Sequence, residues 1–263
     1  MEKLLIIPTY NERENVASVL DAVFSLHQHF HVLIIDDGSP DGTAGIVKKL
    51  FVKYPGMLFL EERIGKLGLG TAYIHGFRWA LDKGYQFIFE MDCDFSHNPH
   101  ELDKLYRACK TGGADVAIGS RYVKGGKVEN WPAIRVGLSK GASVYTRIIT
   151  LMPVKDPTAG FVCYRNEVLE AINLDKISFV GYAFQIEMKF AAWKLGFKIK
   201  EVPITFIDRK FGASKMNKGI VKEGIFGVLK LKWMSMFKNY RSRVKNIQVS
   251  PSYQSHEVMM ERK

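Results

Sequence analysis

The chain has 263 residues, 47% of them hydrophobic and 25% charged; this suits one large α/β domain, alone or with an appendage, and excludes a disordered chain. Lys and Arg number 38 against 27 Asp and Glu, a formal net charge of +11, which implies an anionic partner: nucleic acid, a phosphorylated substrate or an anionic membrane surface. Cys93, Cys109 and Cys163 form no C-x-x-C pair, which argues against a disulfide framework or a zinc site and suits a reducing compartment.

The opening apolar run "KLLIIP" is too short for a signal peptide and reads as a first strand. In "NERENVASVLDAVFSL", Val16, Val19, Leu20 and Val23 recur at helical spacing, with Asn11 and Glu14 placed like a capping box. "HVLIID" is a second buried strand, followed by the turn "DGSPDGT" and a helix carrying Ile46, Leu50 and Phe51. "MLFLEE" is a third strand, "GLGTAYIHGFRWALDKG" a glycine-punctuated helix and "QFIFEMD" a fourth strand. Leu102, Leu105, Tyr106 and Cys109 mark another helix, and "ADVAIGSRY" another strand. Strands that are apolar throughout, separated by amphipathic helices, predict a mostly parallel sheet covered on both faces. No run of about 18 uncharged apolar residues occurs, so no membrane-spanning helix is expected.

Open sheets of this type bind ligands outside the carboxyl ends of their strands. Three polar clusters fall there: "PTYNE", "DDGSPDGT" and "DCD". Asp92 and Asp94 are close enough in sequence to repel unless a cation or open water lies between them. Magnesium takes one or two carboxylates together with substrate phosphates, which fits a nucleotide diphosphate. Carboxylates would repel nucleic acid, so none is expected as a partner. "GKLGLG" is not G-x-G-x-x-G, and no G-x-x-x-x-G-K-[ST] exists. His75 and His97 lack a spaced partner and read as loop or packed histidines.

The stretches "PTYNERENV", "IIDDGSPDGT", "GLGTAYIHGF", "MDCDFSHNP", "GSRY", "GYAFQIEM" and "DRKFGASK", from about Lys3 to Lys215, resemble the polyprenol (dolichol) phosphate mannose synthases. These are family-2 glycosyltransferases with the GT-A fold. The resemblance implies inverting transfer of mannose from GDP-mannose to a polyprenyl phosphate, with Mg2+ or Mn2+. Position by position, Pro8, Tyr10 and Glu12 match residues that hold the nucleotide, and Ile35 and Asp37 match the strand end near base and ribose. Asp92, Cys93 and Asp94 match the Asp-x-Asp that takes metal and diphosphate, with Asp92 and Asp94 as ligands. Arg121, Arg209 and Lys215 match basic groups around phosphates; Asp94, Arg209 and Lys215 are the expected catalytic residues. Gln185 and Glu187 sit where relatives carry acceptor-side or sugar-side polar residues, and Asp156 resembles the acceptor loop; for all three a structural role stays open. Cys93 stands where alanine is usual, contributing backbone only, and Ser96 where some relatives carry Gln, which puts a third metal ligand in doubt.

The resemblance divides the chain into a catalytic domain (1–217), an amphipathic helix (218–243) and a polar tail (244–263) expected to be disordered. The helix is expected either to lie in a membrane interface or to pack on the domain. Relatives without spanning helices are held by membrane partner proteins, so the expected place is peripheral, on the cytoplasmic face. A lipid-phosphate glucosyltransferase using UDP-glucose is the rival reading; a non-catalytic nucleotide-binding protein is weaker.

Overall fold

Consecutive apolar residues through the middle of the first two strands leave neither face of the sheet for water, and the fold covers both. The structure, a computed structural model, describes residues 2–181, 183–209 and 218–242, and of 218–225 the backbone alone. Strands β1 (Lys3–Thr9), β2 (His31–Asp36), β3 (Leu58–Glu62) and β4 (Phe87–Glu90) pair in parallel, in the order β3-β2-β1-β4. Alternate residues of β1 separate into two cores. Leu4 and Ile6 join Leu33, Ile35 and Ile88 on one face, whereas Leu5 and Ile7 join Val32, Ile34 and Phe89 on the other.

Helices α1 (Val16–Phe24), α2 (Thr43–Leu50) and α4 (Leu102–Lys110) supply Val19, Leu20, Val47 and Leu105 to the second core. Helices α3 (Leu69–Asp82), α6 (Asn166–Ala171) and α7 (Ala183–Lys194) supply Phe77, Leu169 and Phe184 to the first. Gly76 of α3 lies so close to β1 that a β-carbon would come within 2.9 Å of Ile6. The sheet continues through β7 (Val162–Arg165), β5 (Val116–Ser120) and β8 (Ile199–Pro203), giving seven strands. β7 runs antiparallel to both β4 and β5, so the sheet is mostly, not wholly, parallel. A two-stranded ribbon pairs β6 (Lys127–Glu129) with β9 (Thr205–Ile207).

The capping box expected at Asn11 and Glu14 does not form. Asn11 has φ 57° and α1 starts only at Val16, with Asn15 before it. The intervening residues close a turn in which the N–H groups of Asn15 and Val16 donate to the Glu12 carbonyl at 3.0 and 2.9 Å. The segment after β2 holds the lead-in to the helix: the N–H of Asn11 donates to Ser39 Oγ, and that of Glu12 to Thr43 Oγ1.

Helix α7 is buried all round, so its polar residues must find partners inside the protein. Glu187 Oε2 accepts from the N–H groups of Ser178 and Phe179 at 2.7 and 3.0 Å, and Oε1 from Lys238 Nζ at 2.7 Å. Both oxygens of Glu187 thus hold the fold together, the structural role that the sequence left open for it. Residues two apart on a helix point in nearly opposite directions, so Gln185 and Glu187 cannot line one site. Helix α8 (Lys218–Met234) lies against α7 and α5 (Ala133–Thr150), burying Val228 and Leu231. Past α8, the Asn173 N–H donates to the Tyr240 carbonyl and the Ser242 N–H to that of Ala171. The polar tail expected at 244–263 lies outside the described residues.

Removing one partner of a buried pair leaves an uncompensated charge. Lys238→Met should therefore destabilise the protein by about 3–5 kcal/mol in urea unfolding. Adding Glu187→Gln to that variant should recover part of the loss, and an unchanged single variant would refute the anchoring role.

Candidate active site

Parallel strands deliver their carboxyl ends to one rim, where the polar clusters collect. β1 and β2 end level, with Thr9 opposite Asp36. Buried Asp36 accepts from Thr9 Oγ1 at 2.8 Å, Ser39 N–H at 2.8 Å and Ser39 Oγ at 2.6 Å, so it knits the two loops together. The next residue, Asp37, faces Arg63: Nε donates to Oδ1 at 2.7 Å, while the Leu67 N–H donates to Oδ2 at 3.2 Å. Pro8, Tyr10 and Glu12 stand half-buried on the same rim, and Lys66 Nζ lies 4.9 Å from the Tyr10 ring centre. Ile35 belongs wholly to the core, so only its backbone can serve a ligand.

After β4 the chain turns sharply. Phe95 has φ 59°, a left-handed conformation that is uncommon for an aromatic residue, and the turn lets the Ser96 N–H donate to Asp94 Oδ1 at 3.0 Å. The side chain of Asp92 is 41% exposed, whereas that of Asp94 is nearly buried and has Arg209 Nη2 3.3 Å from Oδ2. Cys93 is buried between them and offers backbone alone. Among the described residues no cluster of three or more His, Cys, Asp or Glu side chains could hold a metal. Two carboxylates at an open rim fit a divalent cation that takes its other ligands from a substrate diphosphate. Lys215, the other expected basic group, lies outside the described residues.

Arg121 proves to be engaged within the protein. Its Nε and Nη2 donate to the two oxygens of buried Asp156 at 2.7 and 2.6 Å, and Nη2 also donates to Thr158 Oγ1 at 2.9 Å. Asp156 in turn receives the Arg121 N–H, so this bidentate pair fastens the 156–160 loop to the end of β5. Gln185 is engaged within the protein as well. Its side chain is buried under Gly160, and Oε1 accepts from Lys189 Nζ at 2.9 Å, so it lies beneath the rim.

Four residues of this region escaped the sequence reading: Arg63, Glu90, Lys189 and Arg135. Arg135 Nη1 lies 3.0 Å from both oxygens of Asp208, beside Arg209, and its guanidinium stacks 3.9 Å from the Trp131 ring centre. Burial pushes the Glu90 carboxyl up to about 8 and the Lys189 ammonium down to about 8, each countered by the charge of the other. His75 pairs with Glu61 at 3.1 Å. His97 is a packed histidine at the site: it stacks on Phe161 with ring centres 5.0 Å apart, and Nδ1 accepts from the Asp92 N–H at 3.4 Å.

A mostly parallel sheet with an acidic pair at the end of its fourth strand, an antiparallel strand beyond it and helices on both faces defines a GT-A-type transferase. The model of glycosyl transferase family 2 matches residues 4–172. The chain is 47% identical over 225 residues to the polyprenol monophosphomannose synthase of Mycolicibacterium smegmatis, covering 86% of this chain and 84% of that one. It is 43% identical over 244 residues to the undecaprenyl-phosphate mannosyltransferase of Micrococcus luteus, covering 93% and 99%. A mannosyltransferase from Pyrobaculum calidifontis, solved with GDP-Man and Mn2+, shares the fold with a TM-score of 0.58 at 15% identity, over 90% of this chain and 64% of that one. The chain belongs to glycosyltransferase family 2, among the polyprenyl-phosphate mannose synthases.

Burial moves His97 from its ordinary 6.5 down to about 4, against the raising effect of Asp94. Between these values the unfolded chain binds the proton and the folded chain does not, so acid favours unfolding. In metal-free buffer, stability should fall by up to about 3 kcal/mol as pH drops from about 6.5 to about 4. Denaturation at several pH values checks this; His97→Gln should flatten the slope, and an unchanged slope would refute the assignment.

Proposed function

We propose that the protein transfers mannose from GDP-mannose to a polyprenyl phosphate, inverting the anomeric carbon. The observation that carries the reading is Asp92 and Asp94 at the carboxyl edge of β4, with Arg209 against Asp94, in a chain close in sequence to polyprenyl-phosphate mannosyltransferases. Pro8, Tyr10, Glu12 and Asp37 hold the nucleotide. Asp92 and Asp94 hold Mg2+ or Mn2+, which when bound neutralises charge on the leaving diphosphate. Arg209 and Lys215 add positive charge there, and Arg121 keeps the 156–160 loop in place from its seat on Asp156.

The acceptor makes a general base unnecessary. Its phosphate has a second pKa of about 6, so at neutral pH it is already an anionic nucleophile. A phosphate oxygen attacks the anomeric carbon as the bond to the diphosphate oxygen breaks, and GDP leaves with the electron pair. Rate then depends on alignment and on charge stabilisation. The mannose-transferring relatives favour this donor over UDP-glucose.

The acceptor's tail stays in a bilayer, and two adjacent helices present apolar side chains for that contact. Ile134, Leu138, Val144 and Ile148 of α5 are exposed, as are Phe226, Leu229 and Trp233 of α8, followed by Met236 and Phe237. No described helix is long and apolar enough to cross a membrane. We assign the membrane face to α5 together with the exposed residues of 226–237, and a peripheral place on the cytoplasmic side is part of the same proposal. Flotation with anionic vesicles tests direct attachment: Leu138→Glu with Trp233→Glu should abolish it, and a wild-type chain that fails to float would transfer anchoring to a partner protein.

Transfer assays with GDP-mannose or UDP-glucose and a polyprenyl phosphate test the chemistry. Asp94→Ala and Arg209→Ala should each lower kcat/KM by about 10²–10³, as removal of one stabilising group does. Full turnover in EDTA would sink the metal assignment, and preference for UDP-glucose would sink the donor.

A further inference from the structure

Lys189 is fully buried, in a helix that could carry methionine or leucine there. Burying an ammonium is costly unless it is paired and hydrogen-bonded, and removing one partner of such an arrangement destabilises the protein. Its three donors all meet uncharged acceptors: the Ala159 carbonyl at 2.7 Å, the Gln185 carbonyl at 3.0 Å and Gln185 Oε1 at 2.9 Å. An ammonium can only donate, so Oε1 must face it and Nε2 must turn away, towards Gly160. Gln185 and Lys189 are four residues apart on α7 and share a face.

The bond to Ala159 reaches the 156–160 loop at its second half. The first half is held by Arg121 and by Glu201, whose Oε1 accepts the Asp156 N–H at 2.9 Å. Just past Ala159, Gly160 borders the metal carboxylate: a β-carbon there would lie 3.9 Å from Asp92 Oδ2, 3.9 Å from His97 Cε1 and 3.8 Å from Gln185 Nε2. Glu90, Tyr73 and Tyr164 bring further polar groups into the buried interior, and neither tyrosine hydroxyl has a hydrogen-bond partner.

We propose that Lys189 is a positioning residue for the transfer reaction: its buried ammonium fastens the Ala159 carbonyl and the Gln185 amide to helix α7, and so sets where Gly160 stands against Asp92. This rests on the proposed transferase reading. The nucleotide rim of Tyr10, Glu12 and Asp37 hangs on β1 and β2, outside the reach of this tether.

The test compares Lys189→Met and Gly160→Ala with wild type in thermal unfolding, GDP calorimetry with Mn2+ and steady-state mannose transfer. Lys189→Met should lower Tm, because it leaves the Ala159 carbonyl, Gln185 Oε1 and Glu90 without the ammonium, yet leave GDP affinity within about two-fold and lower kcat by about 10–100-fold, the scale of loss expected from misplacement. Gly160→Ala meets its neighbours at ordinary contact distance, so it should fold and still lower kcat. Wild-type kcat in either variant would overturn the proposal. A Lys189→Met variant whose GDP affinity falls along with its rate would make the residue merely structural, and a fully active Gly160→Ala would then settle the matter against the proposal. If wild type transfers no mannose but does transfer glucose from UDP-glucose, the donor reading fails; the same series, run with UDP-glucose and UDP, still decides for or against Lys189.

Discussion

Parallel pairing of β1 with β2 and β4 is the constraint on which the site depends. It sends three consecutive strand ends to one rim, although the residues that follow them are separated by helices in sequence. The pairing stands because every strand side chain has an apolar layer to enter: one set meets α3, α6 and α7, the other α1, α2 and α4. Buried parallel sheet of this type requires both covers. The loops at the rim are then free to carry polar groups, since neither core needs them.

A rim so rich in carboxylates is tolerable because arginines accompany them. Asp37 has Arg63, Asp94 has Arg209, Asp156 has Arg121 and Asp208 has Arg135. These pairs differ in what they can do. The Arg121–Asp156 pair is bidentate and almost entirely buried, so separating it would strand two charges. Arg209 makes a longer contact to Asp94 and is more exposed, so its charge can respond to an incoming diphosphate at lower cost. Sequence motifs treat both arginines alike, whereas burial separates the loop fastener Arg121 from the more exposed Arg209.

Helix α7 joins the core to the site. Gln185 and Lys189 point towards the 156–160 loop, and Glu187 points towards the 178–179 turn and Lys238. One buried helix therefore registers the loop beside Asp92 and the packing of the chain beyond α8. Exposed apolar side chains occur on both α5 and α8, two helices distant in sequence that pack against each other.

The sequence by itself determined the α/β class, the early strands and their helices, the Asp92–Asp94 pair and the family, because unbroken apolar runs, helical spacing and short motifs are local. It placed Val16, Val19, Leu20 and Val23 on the buried face of α1, where they lie. It misplaced the start of that helix, because the backbone of Asn11 and Glu12 is held by Ser39 and Thr43, distant in sequence, and a turn intervenes before Val16. The insertion of β7 antiparallel between β4 and β5 was equally invisible, since a short apolar strand carries no mark of its direction. Only the tertiary structure decided that Gln185 and Glu187 are buried partners of Lys189 and Lys238. Their role follows from what surrounds the side chain, and that is set by contacts between residues far apart in the chain.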